Sequence, residues 1–165
     1  MKNLLIIVIG LALIISCTPD EFPPLGDRPD RVQQLTGAWK VTQVTQTDND
    51  AVRKGFPFFA QQQDITSAFN FTDLEIVLNV DNSFAVDAGT APNVIGMTAG
   101  QWETDDAEYP SEVIFKNGGQ QMEIGIGSFA SIGEGILTLK VIRYEDKGDA
   151  LQPVITYEYK LKKQN

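Results

Sequence analysis

Between Leu35 and Lys160 the apolar residues fall at every second position in short runs, and each run ends in residues that turn the chain. A period of two belongs to a β-strand with one buried face. The cleanest run is Leu74–Val80, with Leu74, Ile76, Leu78 and Val80 inward and Glu75 and Asn79 outward. Asp81-Asn82 is turn chemistry, and Phe84, Val86 and Ala88 return on one face, so a hairpin should set Phe84 across from Leu78 or Ile76. Asn117-Gly118 marks a second hairpin, between Val113 and Phe115 on one strand and Met122, Ile124 and Ile126 on the next. In Ile136–Tyr144 the face Leu137, Leu139, Val141 ends in Arg143, and in Val154–Lys160 Ile155, Tyr157 and Tyr159 align. The first strand, Leu35–Asp48, sets Trp39, Val41, Gln43 and Thr45 on one side, while Ile65–Phe71 reads as a strand and Gln101-Trp102-Glu103 begins another.

Strands joined by short links, with no βαβ spacing, make an antiparallel meander, which closes into an up-and-down barrel or splits into a sandwich. Closure removes the edges. The fold expected is therefore all-β, an antiparallel up-and-down β-barrel of 8–9 strands with at most one or two short helices. The helix candidates are Asp27–Gln34 and, after Pro57, Phe58–Gln63. Residues 89–100 read as a long loop. The glycines at 125, 127, 133 and 135 argue for bends rather than helix. The barrel is placed at 33–161, with 162–165 a frayed tail. The chain has a single cysteine, so no internal disulfide forms and a packed core must supply stability.

Ahead of the barrel, Lys2 and the apolar run Leu4–Ile15 read as a leader, 1–16, too short for the roughly 20 residues of a membrane-spanning helix. Ser16-Cys17 after that run resembles the lipobox of bacterial lipoproteins, which implies cleavage before Cys17 and its acylation. The segment 17–32, with Pro19, Pro23, Pro24 and Pro29, is a semi-rigid tether. Thr18-Pro19-Asp20-Glu21 resembles the surface-export signal of Bacteroidetes lipoproteins, and its alternative is a solvated linker. The expected address is the outer membrane, lipid-anchored, with the lipid as the only membrane contact; the export-like reading of Thr18–Glu21 adds exposure at the cell surface and the linker reading does not. A net charge of −9 with no basic cluster repels nucleic acid, so no nucleic-acid partner is expected.

Gly37-x-Trp39 resembles the lipocalin and calycin pattern, in which a GxW on the first strand puts the Trp across the closed end of the barrel and a late-strand arginine packs over the indole. Arg143 matches that arginine by position, so Gly37, Trp39 and Arg143 are the expected structural set at the barrel floor. The passages LTGAWKV, KGFPFF, FNFTD, APNVIG, QWETDDAEYP and YEYKLKK are similar to a family of lipocalin-like Bacteroidetes lipoproteins that carries a domain-of-unknown-function label. That resemblance implies a single secreted barrel with no assigned activity.

With no histidine and one cysteine, Ser-His-Asp triads, Cys-His pairs and His-based metal sites are excluded. No phosphate-cradling loop lies between a strand and a helix. Asp105, Asp106 and Glu108 cluster on a loop. Asp105 and Asp106 form a weak calcium alternative, but no catalytic residue, metal or cofactor is expected. An eight-stranded barrel is either filled by side chains or holds one small ligand. Phe69, Phe71, Phe84, Phe115, Phe129, Tyr157 and Tyr159 either line or plug such an interior, and Phe56, Phe58, Phe59 and Trp102 are the expected mouth. The expected function is a non-catalytic envelope lipoprotein binding a small apolar or glycan-like ligand. The alternatives are an interaction module of a surface-protein complex, and a peptidase inhibitor or carboxylate-based hydrolase.

Overall fold

A computed structural model describes Gly26, residues 29–148 and residues 150–164. The leader, Cys17 and residues 18–25 of the tether lie outside the described residues. The chain forms one antiparallel nine-stranded sheet in the order β2-β1-β3-β4-β5-β6-β7-β8-β9, closed by pairing of β1 with β9. The strands are β1 (Gly37–Asp48), β2 (Gln62–Asp64), β3 (Glu75–Leu78), β4 (Ser83–Asp87), β5 (Ala99–Thr104), β6 (Glu112–Asn117), β7 (Gln120–Ile126), β8 (Ile136–Asp146) and β9 (Leu151–Lys163). β2 pairs only with β1, so the other eight close the barrel. The expected fold is therefore the observed one. Helices are more numerous than expected, with four short ones among the described residues: α1 (Arg31–Leu35), α2 (Asn49–Arg53), α3 (Phe58–Gln61) and α4 (Phe129–Gly133), plus a 3-10 turn at Phe71–Asp73. Ser128 Oγ accepts from Ala130 N and starts α4 despite the surrounding glycines.

Both hairpins form. Leu78 pairs with Phe84 and Ile76 with Val86, across a turn in which Asn82 is left-handed and Asp81 accepts from Ser83 N and Oγ. Val80, expected inward, lies on this turn and is exposed. In the other hairpin Asn117 pairs with Gln120, so Gly118 and Gly119, both at positive φ, are the central residues. Such φ values suit the primed turns that match strand twist.

Two readings of the strands fail for physical reasons. In β1 Val41 pairs with Leu161 but Gln43 with Lys160, so Thr42 is a β-bulge. The extra residue reverses the alternation, burying Val44 and sending Gln46 inward in place of Gln43 and Thr45. Residues 65–71 are not a strand. Thr66 Oγ1 accepts from Val44 N, and Asp64 accepts from Thr66 N and Oγ1, which turns the chain away from β1 just after β2. Ile65 and Phe71 nevertheless enter the core. At the other extreme of the chain, β9 continues to Lys163 and Gln164 N donates to Ala38 O, so 162–163 are paired strand rather than frayed tail.

The two ends of the barrel differ. At the end where β1 begins, α1 and α4 pack together and Leu35, Trp39, Leu137 and Leu161 are fully buried. At the end where β1 finishes lie α2, α3, residues 65–74 and the 88–98 loop, whose Ala91, Ile95 and Met97 are buried. The first end is shut by helices and the second is walled by loops.

Candidate functional site

The floor is built round Trp39. Its side chain is 0% exposed, and Nε1 donates to Leu35 O at 2.7 Å, joining the first strand to the last residue of α1. The cation over the ring is Lys163, with Nζ 5.1 Å from the centroid. Arg143 cannot take that place. It pairs with Ile155, which pairs with Asp48 at the far end of β1, whereas Lys163 pairs with Trp39 itself. The expected cation–π pair thus exists with a different donor, supplied by the two extra residues of β9. Gly37 is at φ +130, and a Cβ there would lie 2.7 Å from Lys163 Cε, so the glycine leaves room for the lysine stem.

Above this floor the interior is filled. Phe84 and Phe115 meet edge to face at 4.9 Å, and both are buried with Trp102, whose Nε1 donates to Asn79 O. These three residues, expected at a pocket or its mouth, are core. Trp102 is held beside the β3–β4 turn at the closed end, so it does not join Phe56, Phe58 and Phe59. Those three rings are exposed around α3, Phe58 by 71% and Phe59 by 83%. Of the named ligand candidates, Tyr157 lines the cleft at the open end of the barrel.

That cleft has a volume of about 330 Å³. The strand wall is Gln46 of β1, Val141 and Arg143 of β8, and Tyr157 and Tyr159 of β9. The register fixes this wall, since Tyr157 pairs with both Gln46 and Val141 and Tyr159 with both Val44 and Leu139. Ile65, Phe69 and Phe71 form a second wall and Pro92, Asn93 and Val94 a third. Phe71 stands edge-on to both Phe69 and Tyr159, at 5.7 Å in each case. The rings thus form a line from core to mouth, and Phe69 is exposed at its outer end. The sequence named Phe69, Phe71 and Tyr159 as rings that line or plug the interior. Gln46, Pro92, Asn93 and Val94 it missed, because the bulge and an irregular loop place them.

The cavity is amphipathic. Tyr159 is 6% exposed, yet it has no hydrogen-bond partner among the described residues, and no described side-chain N or O is both sealed from solvent and unpaired. Its hydroxyl therefore opens onto the cavity. Burial pushes its pKa up to about 12, aided by the neighbouring Tyr157, while the charge of Arg143 acts against the rise. Asn93 is committed to its own loop through Met97 O, Ile95 N and Gly96 N.

Asp105 and Asp106 serve their loop. Asp105 accepts from Ser111 N, Ser111 Oγ and Glu112 N, and Asp106 accepts from Glu108 N and Tyr109 N. No group of three His, Cys, Asp or Glu side chains among the described residues could hold a metal ion. Burial raises the Asp105 pKa, but the donated hydrogen bonds outweigh it and hold the group at about 2, below the ordinary 3.8. A pKa depressed by folding stabilises the fold above the unfolded value and loses that effect as pH falls toward the folded one. Asp105→Asn should therefore weaken the fold near neutrality, by less than about 1 kcal/mol for so exposed a group. Urea unfolding of both proteins at several pH values should show the difference shrinking between about pH 4 and pH 2. A difference that does not change with pH would contradict this assignment.

A family model described as a domain of unknown function (DUF5004) matches residues 15–162. No curated protein and no solved structure matches the chain.

Proposed function

The chain belongs to the DUF5004 family, and we propose that it is a non-catalytic envelope protein whose barrel holds a small, largely apolar ligand at its open end. The observation that carries this reading is the cavity of about 330 Å³ walled by Phe69, Phe71, Tyr157 and Tyr159 above a filled core. Its volume is at the lower end of the roughly 300–1,000 Å³ typical of small-molecule sites. A mostly apolar wall with a few polar ends is the usual composition of such sites.

Anchoring through an acylated Cys17 is part of the proposal, and it rests on the leader, the lipobox-like Ser16-Cys17 and the tether. The described chain enters the barrel through α1 at the closed end. The mouth is therefore at the opposite end of the barrel from the point where the tether joins. Cys17→Ser should move the protein from the membrane fraction to the soluble fraction; membrane retention of that variant would refute the anchor.

Binding is tested by isothermal titration of the protein with 4-phenylbutanol, a neutral ring-bearing probe. The expected result is saturable binding at one site, weakened at least tenfold in Val141→Trp, which fills the cavity from the strand wall. Val94→Trp fills it from the loop wall and should act likewise without touching the sheet. Absence of saturable binding, or an affinity in both filled variants that matches the unaltered protein, would overturn the reading.

A further inference from the structure

We propose that the ligand is a small amphipathic monocarboxylate, with its carboxylate on Arg143 and its apolar body between Phe69, Phe71 and Tyr157. This deepens the binding reading given above and rests on it. Arg143 lies at the mouth of the cavity, on the same face of β8 as the wall residue Val141. Its cross-strand neighbour is Ile155, which offers no charge. The ion pairs of the described residues use Arg53, Lys116, Lys140 and Lys147 and leave Arg143 without an acidic partner or a hydrogen bond. A guanidinium presents a planar fork of donors that matches a carboxylate with two parallel hydrogen bonds.

The other uncommitted polar ends in the cavity are neutral. Gln46 and the hydroxyls of Tyr157 and Tyr159 have no hydrogen-bond partner among the described residues. One positive charge among neutral donors matches a single negative charge, where a phosphate dianion would leave a charge unmet. Size narrows the class further. At about 30 Å³ for each water-sized volume, the space holds on the order of ten heavy atoms, enough for a phenylalkanoate or a medium-chain fatty acid. The protein's net charge of −9 opposes an anion at long range. Salt screens that repulsion beyond about 8 Å at physiological ionic strength, whereas contact with the guanidinium is far closer.

The test compares 4-phenylbutyrate with 4-phenylbutanol by isothermal titration against the protein, Arg143→Gln, Arg143→Lys and Lys54→Gln. The carboxylate should bind at least tenfold more tightly than the alcohol to the unaltered protein. Arg143→Gln should abolish that preference while leaving alcohol affinity within about twofold. Arg143→Lys should retain part of it. Lys54→Gln removes an exposed cation at the end of α2, away from the cavity wall, and should retain all of it. Alcohol binding without a carboxylate preference, or a preference that survives Arg143→Gln, overturns this inference alone. Failure of both probes to bind overturns the binding reading together with it.

Discussion

Trp39→Ala should lower the free energy of unfolding by about 3–5 kcal/mol, the range for deleting a large buried aromatic side chain. The ring is 0% exposed, so the variant opens a cavity at the closed end of the barrel. Two further losses accompany it. Leu35 O loses the hydrogen bond from Nε1, and Lys163 Nζ loses the ring beneath it. A domain of this size is stable by only about 5–15 kcal/mol, so the variant should unfold at a much lower urea concentration. Lys163→Met keeps the stem over the indole and removes only the charge, so its cost should stay within the 0.5–2 kcal/mol of a cation–π contact. Arg143→Met, at the other end, should leave stability nearly unchanged. If Arg143→Met were the more destabilising of the two, the placement of the two cations would be wrong.

Gly100→Ala should be nearly as damaging although it adds one methyl group. The new Cβ would sit 2.2 Å from Lys116 O and 2.8 Å from Phe84 Cε1. The carbonyl cannot give way locally, because Gln101 pairs with Lys116 on one side while Phe84 pairs with Gly100 on the other. The backbone is also at φ +157, which a side chain rarely adopts. Overpacking commonly costs 1–3 kcal/mol, and a clash with fixed backbone places this substitution at about the upper figure. Gly133→Ala is the matched control: nothing lies within 4 Å of its added Cβ, and its φ is not positive. That change should be neutral or mildly stabilising, by about 0.4–1 kcal/mol from the unfolded state. Equal urea midpoints for the two variants would contradict the close approach of β5 to β6.

The barrel was legible because its signals are local. Alternation in Leu74–Leu78 and Leu137–Val141 and the turn signals at Asp81-Asn82 and Asn117-Gly118 each follow from nearby residues, although the second turn centres one residue later, on Gly118-Gly119. The pocket was much less legible, because long-range pairing places its walls. Thr42 gives no sign in sequence of being a bulge, yet it decides that Gln46 rather than Thr45 faces inward. Phe69 and Phe71 alternate like strand residues, but the hydrogen bonds of Thr66 and Asp64 send them round a turn, and they arrive as a cavity wall. The residue type over Trp39 was foreseen as a cation. Its identity depended on how far β9 runs, and a Lys-rich terminus reads as solvated tail until the register of β1 with β9 is known. Phe56, Phe58 and Phe59 read from the sequence as the mouth, but they stand exposed around α3 and do not line the cavity.

The central claim is that the ligand enters the loop-walled end, opposite Trp39. Its most direct test is a two-dimensional amide NMR titration of the protein with 4-phenylbutyrate. Shifts should concentrate at Gln46, Asn93, Val94, Val141, Arg143, Tyr157 and Tyr159 and fade toward Ala38, Leu137 and Leu161. Shifts confined to the exposed rings at Phe58 and Phe59, or to the Trp39 end, would contradict the account.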